Sequence, residues 1–206
     1  MKEKPILILA HGSGQPADSP WMNQLVQVLE AQGVETHRFN FSYMEASLKA
    51  GKPRPPSRLP SLIQEYEAQL EPFQGRDVFV GGKSLGGRGA SNLATRRNLA
   101  GVVAFGYPFP PPGKPHQLRI DHLPQLLCPM LICQGERDPF GKRNEVESYQ
   151  LPAKLRILWL PGGDHQFQPP KRLDSTLRAN LEASGQAAAN FIGLRSHEGT
   201  LSFRQN

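Results

Sequence analysis

Short apolar runs alternate along this chain with longer segments whose apolar residues recur every three or four positions. The runs fall at residues 5–10, 34–41, 77–82, 101–106, 129–134 and 155–160. Most are continuously apolar, as in Ile6-Leu7-Ile8-Leu9-Ala10, which is the pattern of strands covered on both faces. Between the first two runs, Met22, Leu25, Val26 and Leu29 keep helical spacing. Ser19 supplies an N-cap there, Pro20 the first helical position, and Gly33 the terminating glycine. Leu62, Ile63, Tyr66 and Leu70 repeat the spacing over 59–70. Further helices are expected from Ser84 to about Arg97, near 142–148, and over about 171–193. Strands and helices in alternation predict an α/β fold, a mostly parallel six-stranded sheet flanked by helices.

Two proline-rich stretches, Lys52-Pro53-Arg54-Pro55-Pro56 and Pro108-Phe109-Pro110-Pro111-Pro112-Gly113, read as loops within that fold. Too little chain flanks either one to fold separately. The expectation is a single domain over residues 1–194 and a loose polar tail over 195–206. The apolar run at the amino terminus is too short for a signal-peptide core or a bilayer span, which makes the cytoplasm the default compartment and excludes a membrane role. Cys128 and Cys133 lie in an apolar, strand-like run without metal-site or redox spacing, so both are expected to be buried free thiols. The net charge of +6 comes from 24 Lys and Arg against 18 Asp and Glu, and it is dispersed. With no basic block or interleaved aromatics, it describes a solvated surface, and no nucleic-acid partner is expected.

The chemistry lies where reactive residues directly follow strands, because ligands of an open parallel sheet gather at the strands' carboxyl ends. Gly82-Lys83-Ser84-Leu85-Gly86 follows the third strand and opens a helix, giving the G-x-S-x-G pattern at a strand-to-helix turn. By itself Ser84 reads equally well as a helix cap. Asp138, in Gly135-Glu136-Arg137-Asp138-Pro139, follows the fifth strand and is preferred to its neighbour Glu136 as a catalytic acid. His165, in Gly162-Gly163-Asp164-His165, follows the sixth. His11-Gly12-Ser13-Gly14 follows the first strand and reads as an oxyanion loop, with the backbone N–H groups of Ser13 and Leu85 as donors and His11 as a structural residue. The chain order serine, acid, histidine separates this arrangement from the chymotrypsin and subtilisin orders.

With these blocks in place, the sequence resembles the small α/β-hydrolases grouped near dienelactone hydrolase. Within that group it resembles the compact branch that includes a testis-expressed eukaryotic protein and the hydrolase-like domain of an NSL chromatin-complex subunit. The resemblance covers nearly the whole chain. It rests on His11-Gly12-x-Gly14, Gly81-Gly82-Lys83-Ser84-Leu85-Gly86-Gly87-Arg88, Gly106-Tyr107-Pro108-Phe109, Gly135-x-Arg137-Asp138-Pro139-Phe140-Gly141 and Gly163-Asp164-His165-x-Phe167. It implies the α/β-hydrolase fold and the triad more than any particular reaction. Dienelactone hydrolases proper use a cysteine where this chain has Ser84, so their substrate and chemistry do not carry over.

The reading is a serine hydrolase acting on a small-molecule acyl ester or thioester, with Ser84 as nucleophile, His165 as base and Asp138 as its orienter, and with no metal or organic cofactor. Only about twenty residues, Tyr107 to Leu127, fill the interval where such folds usually insert a cap. An open site without a cap domain is expected, roofed by the Pro108–Pro112 loop. Lys83, Arg88 and Arg137 flank the chemistry as candidate substrate contacts, Arg88 one helical turn beyond Ser84. The alternative is a hydrolase-fold protein that acts mainly as a binding or interaction module for a protein partner, with little catalysis.

Overall fold

A computed structural model describes residues 3–198 except 112 and 115, with side chains as far as Gly193. Six strands form one wholly parallel sheet: β1 (Ile6–Ala10), β2 (Glu35–Phe39), β3 (Val78–Lys83), β4 (Gly101–Phe105), β5 (Met130–Gly135) and β6 (Leu155–Leu160), in the spatial order β2-β1-β3-β4-β5-β6. The inner strands β1, β4 and β5 are buried at every position, whereas the edge strands β2 and β6 are partly exposed. That difference is the physical source of the continuous and the broken apolar runs.

Alternate residues of each inner strand face opposite layers. Ile6, Ile8 and Ala10 of β1 join a core with Leu62, Ile63 and Tyr66 of α3 (Leu59–Ala68) and with Ala90 and Leu93 of α4 (Leu85–Leu93). Leu7 and Leu9 join the other core, with Leu25 and Leu29 of α1 (Pro20–Ala31) and with Leu181 and Phe191 of α6 (Leu177–Glu198). The helix α5 (Arg143–Val146) is a single turn. Both cysteines are buried. No helix among the described residues is long and apolar enough to cross a membrane.

The structure adds one helix and moves another. Residues 42–50, for which no element was expected, form α2 (Ser42–Ala50). It buries only Tyr43 and Met44, too few to mark a face by periodicity, although Gly51 closes it in the left-handed conformation. The last helix begins at Leu177, not near 171. Thr176 provides the start, its hydroxyl accepting from the Ala179 N–H at 3.0 Å. That helix runs to Glu198, and the rest of the expected tail, 199–206, lies outside the described residues.

The chain order within the sheet places a crevice. From β1 the chain turns outward to β2, then crosses back to add β3 on the other side of β1. Loops leaving β1 and β3 therefore diverge at their carboxyl ends, which is where open α/β sheets bind ligands. Beneath that point Tyr66 locks the two strands together. It is wholly buried, and its hydroxyl accepts from the Gly81 N–H at 2.9 Å and lies 2.7 Å from the Ile8 carbonyl and 2.6 Å from the Gly81 carbonyl. Replacing Tyr66 by Phe strands these buried groups without changing the apolar packing. Tyr66→Phe is expected to cost about 1–3 kcal/mol, read as a lower urea midpoint at unchanged slope.

Candidate active site

The strand-to-helix turn after β3 is built from close backbone approaches. A Cβ on Gly82 would lie 2.2 Å from the Ala10 carbonyl oxygen, and one on Gly86 would lie 2.3 Å from the same atom. Neither clash can be relieved by a rotamer, because the obstructing atom is backbone. Gly12 and Gly14 are different: a Cβ there meets nothing closer than 3.4 Å, so the space around the first loop does not itself demand glycine.

Between the two crowded glycines Ser84 has φ 49° and ψ −107°. A side chain in that region costs on the order of 1–3 kcal/mol and is held there by the surrounding packing. Its hydroxyl makes no capping bond to α4. The cap reading of Ser84 therefore fails on geometry, and the hydroxyl is free to face the crevice. Leu85 is the first residue of α4, so its N–H has no intrahelical acceptor. Ser13, at the end of the neighbouring loop, is exposed, and its carbonyl accepts from the Tyr43 hydroxyl at 3.2 Å.

His11 is fully buried beneath that loop. Its Nδ1 bonds to the Gly12 carbonyl at 2.5 Å and its Nε2 accepts from the Phe41 N–H at 3.1 Å, with the rings of Phe41 and Tyr43 beside it. Burial lowers its pKa. A neutral ring with both nitrogens engaged braces the loop and has no capacity left as a base.

His165 Nδ1 meets Asp138 Oδ2 at 2.8 Å. Asp138 is wholly buried, while the His165 side chain keeps 18% of its exposure. The carboxylate is held from two further sides, Oδ1 accepting from the Phe140 N–H at 2.8 Å and Oδ2 from Gln134 Nε2 at 3.1 Å. The adjacent acids are committed elsewhere. Glu136 accepts from the Gly162 N–H and from Arg143, and Asp164 accepts from the Gln166 and Gln168 N–H groups. With Nδ1 engaged by Asp138, the opposite nitrogen of His165 is the one available to the crevice.

No motif in the sequence marks Gln134 for this role. It sits on β5, where an apolar residue belongs, and its buried amide also bonds the Tyr107 backbone at both N–H and C=O. A polar residue interrupting an otherwise buried strand is the available clue.

Ser84, His165, Ser13 and Leu85 line one cleft of about 610 Å³. The expected roof is present in part, through Pro108, and the other proline-rich stretch contributes Pro56, followed by Ser57. Between β4 and β5 the described residues contain one short 3₁₀ turn, Leu123–Gln125, and no cap domain. Of the three candidate substrate contacts, Lys83 and Arg88 line the cleft, and so does Arg119, to which no pattern in the sequence pointed. Arg137 is exposed and lies outside that lining. Among the described residues, no three His, Cys, Asp or Glu side chains gather as a metal site.

Residues 3–193 match the model of the alpha/beta hydrolase domain family, and the chain belongs to that family. Among solved structures it is similar to an alpha-beta serine hydrolase homologue from Coxiella burnetii, at 16% identity over 92% of this chain and 86% of that one, with a TM-score of 0.69. It is similar also to dienelactone hydrolase from Anabaena variabilis, at 23% identity over 93% of this chain and 86% of that one, TM-score 0.66. A monoacylglycerol lipase from Paleococcus ferrophilus shares 15% identity over 94% of this chain and 97% of that one, TM-score 0.67. At such identities these likenesses speak for the shared fold.

Lys83 is a buried cation in the elbow itself, 5% exposed. Its ammonium donates to the His165 carbonyl at 2.6 Å and lies over the rings of Trp21 and Phe167. Burial pushes its pKa down to about 7, against the attraction of Asp138 and Asp164. The unfolded chain, with lysine near 10.5, binds this proton more tightly than the folded one. Stability is therefore expected to rise with pH between about 7 and 10.5 and to flatten on either side. Denaturant titrations across that window should show the rise in wild type and lose it in Lys83→Met. The strain at Ser84 gives a second expectation. Ser84→Gly should be more stable than Ser84→Ala by about 1 kcal/mol, because both lose the hydroxyl and glycine alone relaxes the positive φ. Thermal denaturation of the pair measures the difference.

Proposed function

We propose that this protein is a serine hydrolase that cleaves a small acyl ester or thioester, with Ser84 as nucleophile, His165 as general base and acid, and Asp138 as the group that orients and charges-balances the imidazole. Membership of a hydrolase family supports it. The observation that carries it is the 2.8 Å contact between His165 Nδ1 and a buried Asp138, in a cleft also lined by a serine held at φ 49°.

In this reading Ser84 Oγ attacks the acyl carbonyl as its proton passes to His165 Nε2. The carbonyl oxygen becomes an oxyanion that the Ser13 and Leu85 N–H groups stabilise, a role worth about 3–4 kcal/mol per donor where it has been measured. Collapse breaks the bond to the leaving alcohol or thiol, which takes the proton from His165, and leaves an acyl-Ser84 ester. Water, deprotonated by His165, then attacks that ester and the carboxylic acid departs as Ser84 regains its proton. Asp138 remains ionised throughout and stabilises the imidazolium. The proposal places the protein in the cytoplasm and, within its family, in the compact branch whose elbow reads Gly-Gly-Lys-Ser-Leu-Gly-Gly-Arg.

A fluorophosphonate probe tests the nucleophile directly. Wild type is expected to be labelled and Ser84→Ala to remain unlabelled. Asp138→Asn should lower kcat on p-nitrophenyl esters by roughly 10³–10⁴-fold, since it strips the imidazole of its tautomer control. A folded wild-type protein that resists labelling at high probe concentration overturns the proposal in favour of a binding module.

A further inference from the structure

Five arginines among the described residues make ion pairs with carboxylates, and Arg88 and Arg119 are not among them. Arg76 pairs with Glu35, Arg96 and Arg97 with Glu67, Arg143 with Glu136 and Glu147, and Arg178 with Glu182. Apart from Arg76, these arginines lie at the surface, where a guanidinium needs a partner least. Arg88 and Arg119 are both half-buried, line the cleft beside Ser84 and His165, and make no ion pair among the described residues. Arg88 Nε is the one buried side-chain nitrogen or oxygen among the described residues that has no hydrogen-bond partner.

The surroundings confirm the imbalance. No carboxylate acts on Arg88 or Arg119, and Tyr107 beside both is a buried phenol whose pKa is pushed up to about 12, so it stays neutral. Burial lowers the pKa of both, and the Arg88 charge lowers that of Arg119 further. His122, beside them, is held neutral. Its Nε2 faces the Ser91 hydroxyl and the Asn92 amide, and burial together with the Arg88 charge brings its pKa to about 4. Two like charges are thus kept in one partly dry cleft with no carboxylate among the described residues to neutralise them, an arrangement that opposes folding unless a ligand completes it.

The backbone that carries each of them is anchored. Arg88 lies one turn along α4 from Ser84, and its N–H donates to the Ser84 carbonyl at 3.0 Å. The Arg119 N–H donates to the Phe109 carbonyl at 2.7 Å, and its own carbonyl accepts from the Tyr107 hydroxyl at 2.8 Å. A pair of planar forks with unused donors matches the oxygens of a carboxylate or a phosphate.

We infer that Arg88 and Arg119 form an anion-binding subsite, and that the substrate is an ester or thioester bearing a carboxylate or phosphate near its scissile carbonyl. The substrate class rests on the reading of Ser84 as nucleophile; the anion subsite itself does not.

Two p-nitrophenyl esters of equal acyl length, the neutral valerate and the anionic hemiglutarate, test this at fixed ionic strength. The quantity read is the ratio of their kcat/KM values, hemiglutarate over valerate. Arg119→Met, at a loop position whose side chain makes no internal bond, is expected to lower that ratio roughly tenfold or more, as loss of a charge-assisted pair does. Arg119→Lys should fall between. Arg178→Met, a remote loss of one positive charge, should leave the ratio unmoved. Arg88→Met should lower the ratio in the same sense. Competition then assigns the source: glutarate inhibiting at lower concentration than inorganic phosphate indicates a carboxylate, and the reverse order a phosphate. A ratio unchanged in both Arg88→Met and Arg119→Met overturns the subsite. If fluorophosphonate fails to label wild type, the hydrolase reading falls and binding decides. A rise in melting temperature with glutarate or phosphate, lost in Arg119→Met, then sustains the subsite, and no such rise in wild type overturns it.

Discussion

The carbonyl oxygen of Ala10 is the point around which this molecule is arranged. Gly82 and Gly86 both pack against it, at distances that leave no room for a β-carbon. Bringing the end of β3 and the first turn of α4 so close to the end of β1 forces a sharp reversal in the two or three residues between them. Ser84 absorbs that reversal at φ 49°. The same closeness sets Leu85, whose N–H has no acceptor within α4, in the cleft that the Ser13 loop also lines. A candidate nucleophile and two candidate oxyanion donors are therefore consequences of one packing constraint. Tyr66 and His11 hold it from below, the phenol tying Ile8 to Gly81 and the imidazole tying Gly12 to Phe41.

The acid side is built on the opposite principle, satisfaction instead of crowding. A wholly buried carboxylate persists only if its oxygens are occupied. Asp138 meets that need with the Phe140 amide, the Gln134 side chain and the His165 ring. Gln134 is in turn anchored to both backbone polar groups of Tyr107. Lys83 links the two halves, since it lies within the elbow and its ammonium holds the carbonyl of His165. A cation between two rings and against a carbonyl stiffens the loop that carries the imidazole, at the cost of removing an ammonium from water.

How much of this was legible in the sequence depends on how local each cause is. The inner strands announced themselves as continuous apolar runs because both faces are covered, and α1 by its cap, proline and periodic face. The elbow was legible because backbone crowding leaves glycine as the only residue that fits, which a sequence records directly. Asp138 and His165 were legible through position, each directly after a strand. The rest has its cause across the fold. Nothing near Arg119 in the chain marks it as a cleft residue, since the β4–β5 loop brings it there. Gln134 serves an aspartate, and Pro56 reaches the cleft from a segment that read only as a connector. α2 was missed because it packs through just two buried residues, and α6 starts at a threonine cap hidden within a polar stretch.

A cleft without a cap domain constrains how selectivity can arise. Enzymes that close a lid over the substrate can exclude water and gather many contacts at once, and their discrimination comes from the closed shape. Here the interval between β4 and β5 holds one short 3₁₀ turn, so that route is unavailable within the described residues. What remains is fixed chemistry on the cleft walls. Apolar contact in an open site discriminates weakly, because a methylene more or less changes little. A charge held half-buried without a partner discriminates strongly, because a ligand lacking the complementary group leaves it unpaired. In the proposed subsite, Arg88, whose buried Nε has no partner one helical turn from Ser84, is the kind of group from which an uncapped hydrolase fold would draw such selectivity.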